Sequence, residues 1–136
     1  NRQALGAVVF GHRTRLRQLE RIIHPRVARE QIRLTKQAAR KDPKTVVIYD
    51  VPLLFEAGVD TRVDKIIVVS ANRETQIARL KKRNGLSRTE ALRRINSQMP
   101  LAQKLARADF AIKSPLTPTA RRRQIRSILL ALQSRN

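Results

Sequence analysis

Cysteine is missing from all 136 residues, which excludes both a disulfide framework and a thiolate metal site and is compatible with a reducing cytoplasm. Aromatic residues are nearly absent as well. Phe10, Phe55, Phe110 and Tyr49 are the only ones, too few for the stacking platforms of a single-strand nucleic-acid binder. Acidic residues are scarce, at 10 Asp+Glu against 30 Lys+Arg. No apolar run approaches the roughly 18 residues of a membrane span, and no signal-peptide pattern opens the chain. These absences lead to the expectation of a soluble cytoplasmic protein with no membrane partner.

What is present is arginine. Twenty-two arginines and eight lysines give a formal charge of +20. A field of that sign attracts polyanions, whether nucleic acid or a phosphorylated small molecule, and guanidinium groups favour forked contacts to phosphate oxygens. Charge alone does not choose among these ligands, and an Arg-rich proteome would produce the same balance. Nucleic acid is expected only as a non-specific electrostatic partner. The 41% apolar content suffices for one modest core.

Two runs of β-branched residues organise the chain. Val46–Tyr49 leads into Asp50-Val51-Pro52-Leu53-Leu54-Phe55-Glu56, and Ile66–Val69 comes after a short gap. Apolar runs without polar alternation read as strands covered on both faces, as in parallel sheets flanked by helices. Such sheets place their chemistry at the strands' carboxyl ends, here at Asp50 and the X-Pro bend behind it.

Around these runs the spacing predicts helices. Leu16, Leu19, Ile22 and Ile23 mark one over Arg13–Ile23, and Pro25 opens a second, ending near Arg40 before Asp42-Pro43. Asn72 caps a helix closed by Gly85, and Ser87-Arg88-Thr89-Glu90 reads as a capping box opening another, which Pro100 interrupts. A short helix over Leu101–Arg107, a third strand at Asp109–Ile112 and a terminal helix launched by Thr117-Pro118 complete the order. Strands alternating with helices specify an α/β fold. Three strands make a thin sheet, and the chain opens without Met at Asn1-Arg2-Gln3, so the expectation is a fold incomplete at its amino end.

Several segments then resemble a known family in their order and spacing. They are R-Q-A-L-G-A-V-V-F near the start, L-E-R-I-I-H-P-R-V at Leu19–Val27, D-V-P-L-L-F-E-A-G at Asp50–Gly58, Q-I-A-R-L-K-K-R at Gln76–Arg83, R-I-N-S-Q at Arg94–Gln98 and K-L-A-R-A-D-F-A-I at Lys104–Ile112. Together they resemble the carboxyl-terminal two-thirds of dephospho-coenzyme A kinase. The resemblance implies a three-layer P-loop-kinase-like parallel sheet flanked by helices. Within a single partial domain it implies a helical acceptor-binding region over about residues 1–42, a sheet core over about 43–136 and a lid at about 79–108. It further implies transfer of the ATP γ-phosphoryl group to the ribose 3′-hydroxyl of dephospho-coenzyme A, with Mg²⁺, as the last step of coenzyme A synthesis; the rival readings are a basic nucleic-acid-binding module on a kinase-like fold and a fragment of another nucleoside or nucleotide kinase.

Residue by residue, the resemblance places Asp50 near the substrate ribose or a Mg²⁺-bound water, where a turn-starting Asp is the competing reading. Pro52, Leu53 and Leu54 would wall the acceptor nucleoside, against plain core packing for the leucines. Glu56 would bond ribose or a lid arginine, against a plain surface glutamate. His24, before Pro25 at a helix start, would donate to a phosphate or hydroxyl, against a structural cap. Arg79 and Arg83, four apart on one helix, would stabilise the charge developing in transfer, against a solvated basic face. Gln98 continues the lid, with Arg93 and Arg94 near it, and Asp109 is expected to be structural.

Two departures stand out. The phosphate-cradling G-x-x-x-x-G-K-[ST] loop is absent, since the lone G-x-x-x-x-G, Gly6–Gly11, is followed by His12-Arg13. The chain alone is therefore expected to bind ATP poorly and to turn over little. After A-D-F-A-I the chain reads Lys113-Ser114-Pro115 in place of an Asp-Asn-type turn, so no adenine contact is carried over.

Overall fold

A computed structural model describes residues 1–9 and 12–134. They form two compact units, residues 1–48 and residues 49–136. The Gly6–Gly11 stretch runs into Phe10 and Gly11, which lie outside the described residues.

The first unit is helical. Helix α1 spans Arg2–Val9 and α2 spans Arg13–Lys41. The His12 amide donates to the Val9 carbonyl at 3.1 Å, and Val9 is buried. The two helices expected on either side of His24-Pro25 are one continuous α2, with Pro25 in its interior. Proline removes one backbone donor and crowds the carbonyl a turn behind it. Arg21–Val27 are all exposed, so water can serve the freed Arg21 carbonyl. The consequence is a correction: His24 sits in mid-helix, and no helix amino end backs it.

In the second unit, strand β1 (Ile67–Ala71) and strand β2 (Phe110–Ser114) pair in parallel, with Ile67 opposite Phe110 and Ala71 opposite Ser114. Between them run α3 (Arg73–Asn84), α4 (Arg88–Asn96) and α5 (Leu101–Ala106), and α6 (Pro118–Gln133) comes last. Parallel strands need such a crossover. Helix α5 contacts β1, and α6 contacts β2, where Gln124 Nε2 donates to the Ala111 carbonyl at 2.9 Å. The arrangement is α/β, a parallel sheet flanked by helices.

The sequence punctuates these helices as expected. Asn72 Oδ1 accepts from the Thr75 amide at 2.8 Å, Ser87 and Glu90 complete a reciprocal capping box, and Thr117 caps α6 ahead of Pro118. Gly85 ends α3 at φ 67°, the left-handed conformation that costs glycine least.

The expected first strand is not formed. Val46, Val47 and Ile48 are 37%, 45% and 85% exposed, and among the described residues the sheet contains only β1 and β2. A strand exists only through its ladder, and apolar side chains cannot hold an extended segment flat without one. Burial in the second unit centres instead on Phe55, Ile77, Ala91 and Ile128. Of the expected apolar face of α6, Ile128 is buried, while Ile125 and Leu129 are exposed.

Candidate active site

A cavity of about 900 Å³ opens within the second unit. One wall is the segment Asp50–Phe55, which bends at Pro52 into consecutive turns over residues 52–58. Amides of Ala57 and Val59 donate to the carbonyls of Leu53 and Leu54 at 2.9 and 3.1 Å, and Gly58 accommodates a φ of 63°. This turn drives Phe55 into the interior while leaving Asp50 at the surface.

A second wall is strand β1 together with helix α3. Ala71, Asn72, Arg73, Gln76 and Arg79 line the cavity from the carboxyl end of the strand along α3. Three of these side chains are held by hydrogen bonds. Arg73 Nη2 donates to Asn96 Oδ1, Gln76 Nε2 to the Ala71 carbonyl and Arg79 Nη2 to Ser114 Oγ, each at 2.7 Å. The third wall is the turn from α4 into α5, with Gln98, Met99, Pro100, Leu101 and Lys104.

The cavity thus brings Asp50, Pro52, Leu54, Arg79 and Gln98 together. Asp50 is the only carboxylate among the described lining residues, and none of them takes it up in a hydrogen bond or ion pair. Three cationic side chains, Arg73, Arg79 and Lys104, line the same cavity, Lys104 in an ion pair with Glu56. Such a balance suits a ligand carrying several negative charges beside a hydroxyl.

Four expected residues lie elsewhere. Leu53 is on the same turn but is 44% exposed and outside the lining. Arg83 Nε donates to Asn84 Oδ1 at 3.1 Å, one turn beyond Arg79. Glu56 stands just behind the wall and bonds Lys104 Nζ at 2.7 Å and the Met99 amide at 3.0 Å. Burial pushes its carboxyl up, but the Lys104 ammonium and backbone amides outweigh that and hold it below the usual range. His24 belongs to the first unit, where it shares a shallow surface of α2 with Arg17, Glu20, Arg21 and Pro25.

Arg73, Gln76, Asn96 and Lys104 are cavity residues that the sequence reasoning passed over. Arg73 carried a signal: a cation in the first turn of a helix opposes the macrodipole, which calls for another reason to be there. Asp109 is structural, as expected. Its carboxylate binds Lys65 Nζ at 2.6 Å and the Ile66 amide at 2.9 Å, fastening the start of β2 to the start of β1.

Among the described residues no group of three or more His, Asp or Glu could hold a metal ion by itself, and no helix is long and apolar enough to cross a membrane.

The family model described as dephospho-CoA kinase matches residues 1–116. A dephospho-CoA kinase of Geobacillus kaustophilus is 41% identical over 129 residues, which cover 95% of this chain and 64% of the relative. One from Syntrophotalea carbinolica is 46% identical over 112 residues, 82% of this chain and 53% of the relative. Among solved structures, TT1252 from Thermus thermophilus superposes with a TM-score of 0.77 at 29% identity, covering 96% of this chain and 66% of that one. The dephospho-CoA kinase from Campylobacter jejuni gives 0.67 at 28%, covering 98% and 66%. The chain therefore spans somewhat under two-thirds of the length of these curated relatives. By the extent of these matches, the chain belongs to the dephospho-CoA kinase family.

Proposed function

We propose that this chain forms the acceptor-binding and charge-neutralising part of a cytoplasmic dephospho-CoA kinase, which transfers the γ-phosphoryl group of ATP to the ribose 3′-hydroxyl of dephospho-coenzyme A. The carrying observation is the cavity that the unpaired Asp50 lines together with Arg73, Arg79 and Lys104. Transfer forms a bond from the 3′-oxygen to phosphorus, breaks the bond from phosphorus to the β–γ bridging oxygen and releases the hydroxyl proton. Little covalent chemistry is asked of the protein; positioning and neutralisation of charge carry the rate.

In this reading Asp50 orients the acceptor ribose, because a carboxylate accepts well from hydroxyl groups. Pro52 and Leu54 form the apolar wall against the nucleoside, and Leu53 stiffens the same turn. Arg79 meets the transferring phosphate, Arg83 extends the positive face of α3 behind it, and Gln98 contributes an amide from the α4–α5 turn. His24 is assigned a donor role toward a phosphate or hydroxyl on the family pattern alone.

Mg²⁺, when bound with ATP, would screen phosphate charge. Asp50 is the residue that fits it, since Mg²⁺ keeps most of its waters and takes one or two carboxylates beside substrate phosphates. The sequence has no G-x-x-x-x-G-K-[ST] loop, so ATP turnover by the chain alone is expected to be weak. The direct test is calorimetry with dephospho-coenzyme A. Measurable heat that disappears in Asp50→Ala supports the reading, and no heat from a folded wild-type chain overturns it.

A further inference from the structure

Glu56 does not line the cavity, yet it touches the residues that do. It follows Phe55 within the turns over residues 52–58, and its Oε1 accepts from the Met99 amide at 3.0 Å and pairs with Lys104 Nζ at 2.7 Å. Met99 and Lys104 belong to the opposite wall. One carboxylate thus joins two walls separated by 43 residues of sequence at the Met99 contact. The Glu56 and Lys104 side chains are 23% and 15% exposed, which makes theirs the most enclosed ion pair among the described residues.

The surroundings reinforce this clamp. Arg107, just past α5, lies over the Phe55 ring at 4.5 Å and bonds Asp60 at 2.5 Å. The amino end of α5 is held by Glu56 and its carboxyl end by Phe55 and Asp60. Within the α4–α5 turn the Ser97 and Gln98 amides donate to the Arg93 and Ile95 carbonyls at 3.1 and 3.3 Å, and Glu56 adds the bond that ties this turn to the Asp50–Phe55 wall.

We infer that Glu56 is a positioning residue, which latches the α4–α5 turn and Lys104 to the Asp50–Phe55 wall and so holds the cavity open in a ligand-ready shape, rather than a residue that contacts substrate itself. The inference rests on the proposed function for its ligand, but the latch exists in the free protein and can be read there. With Glu56 removed, Met99 loses its acceptor, Lys104 loses its counter-charge, and the turn bearing Gln98 opens more often.

The test uses the full chain as wild type, Glu56→Gln, Glu56→Ala, Lys104→Met and Asp50→Asn. Amide hydrogen exchange at Met99 is measured without ligand, and dephospho-coenzyme A affinity is measured by calorimetry. Exchange at Met99 should accelerate on the order of tenfold in Glu56→Ala. It should change less in Glu56→Gln, which keeps an acceptor oxygen, and affinity should fall in the same order. Asp50→Asn should lower affinity with exchange unchanged. Unchanged Met99 exchange in Glu56→Ala overturns the latch whatever happens to binding, and so does faster exchange with wild-type affinity. If Glu56→Ala fails to fold, Glu56→Gln and Lys104→Met decide by the same two readings. A folded wild type that does not bind dephospho-coenzyme A defeats the functional reading alone, and the exchange comparison still judges the latch.

Discussion

Arg79 is tied to Ser114: its Nη2 donates to the serine hydroxyl at 2.7 Å, joining α3 to the last residue of β2. The contact lies at the carboxyl end of the parallel pair, where Ala71 and Ser114 stand opposite each other. A guanidinium held by one hydroxyl keeps its other N–H groups for an anion and loses less rotamer freedom when that anion arrives.

Arg79→Ala should therefore weaken binding of dephospho-coenzyme A by about tenfold, the loss of one charge-assisted contact. Arg83→Ala should weaken it less, because Arg83 is turned onto Asn84. Ser114→Ala should give an intermediate loss with unchanged circular dichroism. Calorimetry on the three variants checks the order.

The ion pair of Asp109 with Lys65 makes a pH prediction. The Lys65 ammonium and the Ile66 amide hold the Asp109 carboxyl below its ordinary value of 3.8. A carboxyl whose folded pKa is lowered stabilises the fold above its unfolded pKa and loses that contribution as pH falls through the folded one. Asp109→Asn should cost about 1 kcal/mol or less near neutrality, given the partial exposure of the pair. The difference from wild type should close as pH falls below about 3.8, as read by urea unfolding across that range.

Core and exposed apolar residues should separate sharply. Ile77 is 3% exposed, and Ile77→Ala should destabilise by about 2–5 kcal/mol. Ile48 is 85% exposed, and Ile48→Ser should stay within about 0.5 kcal/mol of wild type. Thermal melts of both variants decide whether Val46–Ile48 contributes to the core.

The charge of +20 predicts nucleic-acid binding without sequence preference. Affinity for any duplex should fall steeply between about 50 and 200 mM salt, and competition with unrelated sequences should show no preference. A retained preference at the higher salt would point to a recognition surface that bulk charge does not explain.

Local chemistry determined the features readable from sequence. The Asn72 and Thr117 caps, the Ser87–Glu90 capping box and the Gly85 stop all act within one helical turn, so residue order alone specifies them. The strand character of β1, the structural role of Asp109 and the bend at Val51-Pro52 were legible for a similar reason. β-branched runs, a carboxylate at a strand start and an X-Pro bend each impose a backbone preference wherever they occur.

Tertiary structure decided what depends on a distant partner. Val46–Ile48 has strand composition but no ladder, and Pro25 lies within α2 because its surroundings are open to water. Arg79 and Arg83 have the same spacing signal, yet only Arg79 meets Ser114, 35 residues away. Glu56 lies within the turns over residues 52–58, and only the fold brings Met99 and Lys104 to its carboxylate. Hydrogen bonds inside one turn close over a few residues at little entropic cost. Contacts between remote segments require the chain to be folded first, so their partners are set by packing and not by residue order.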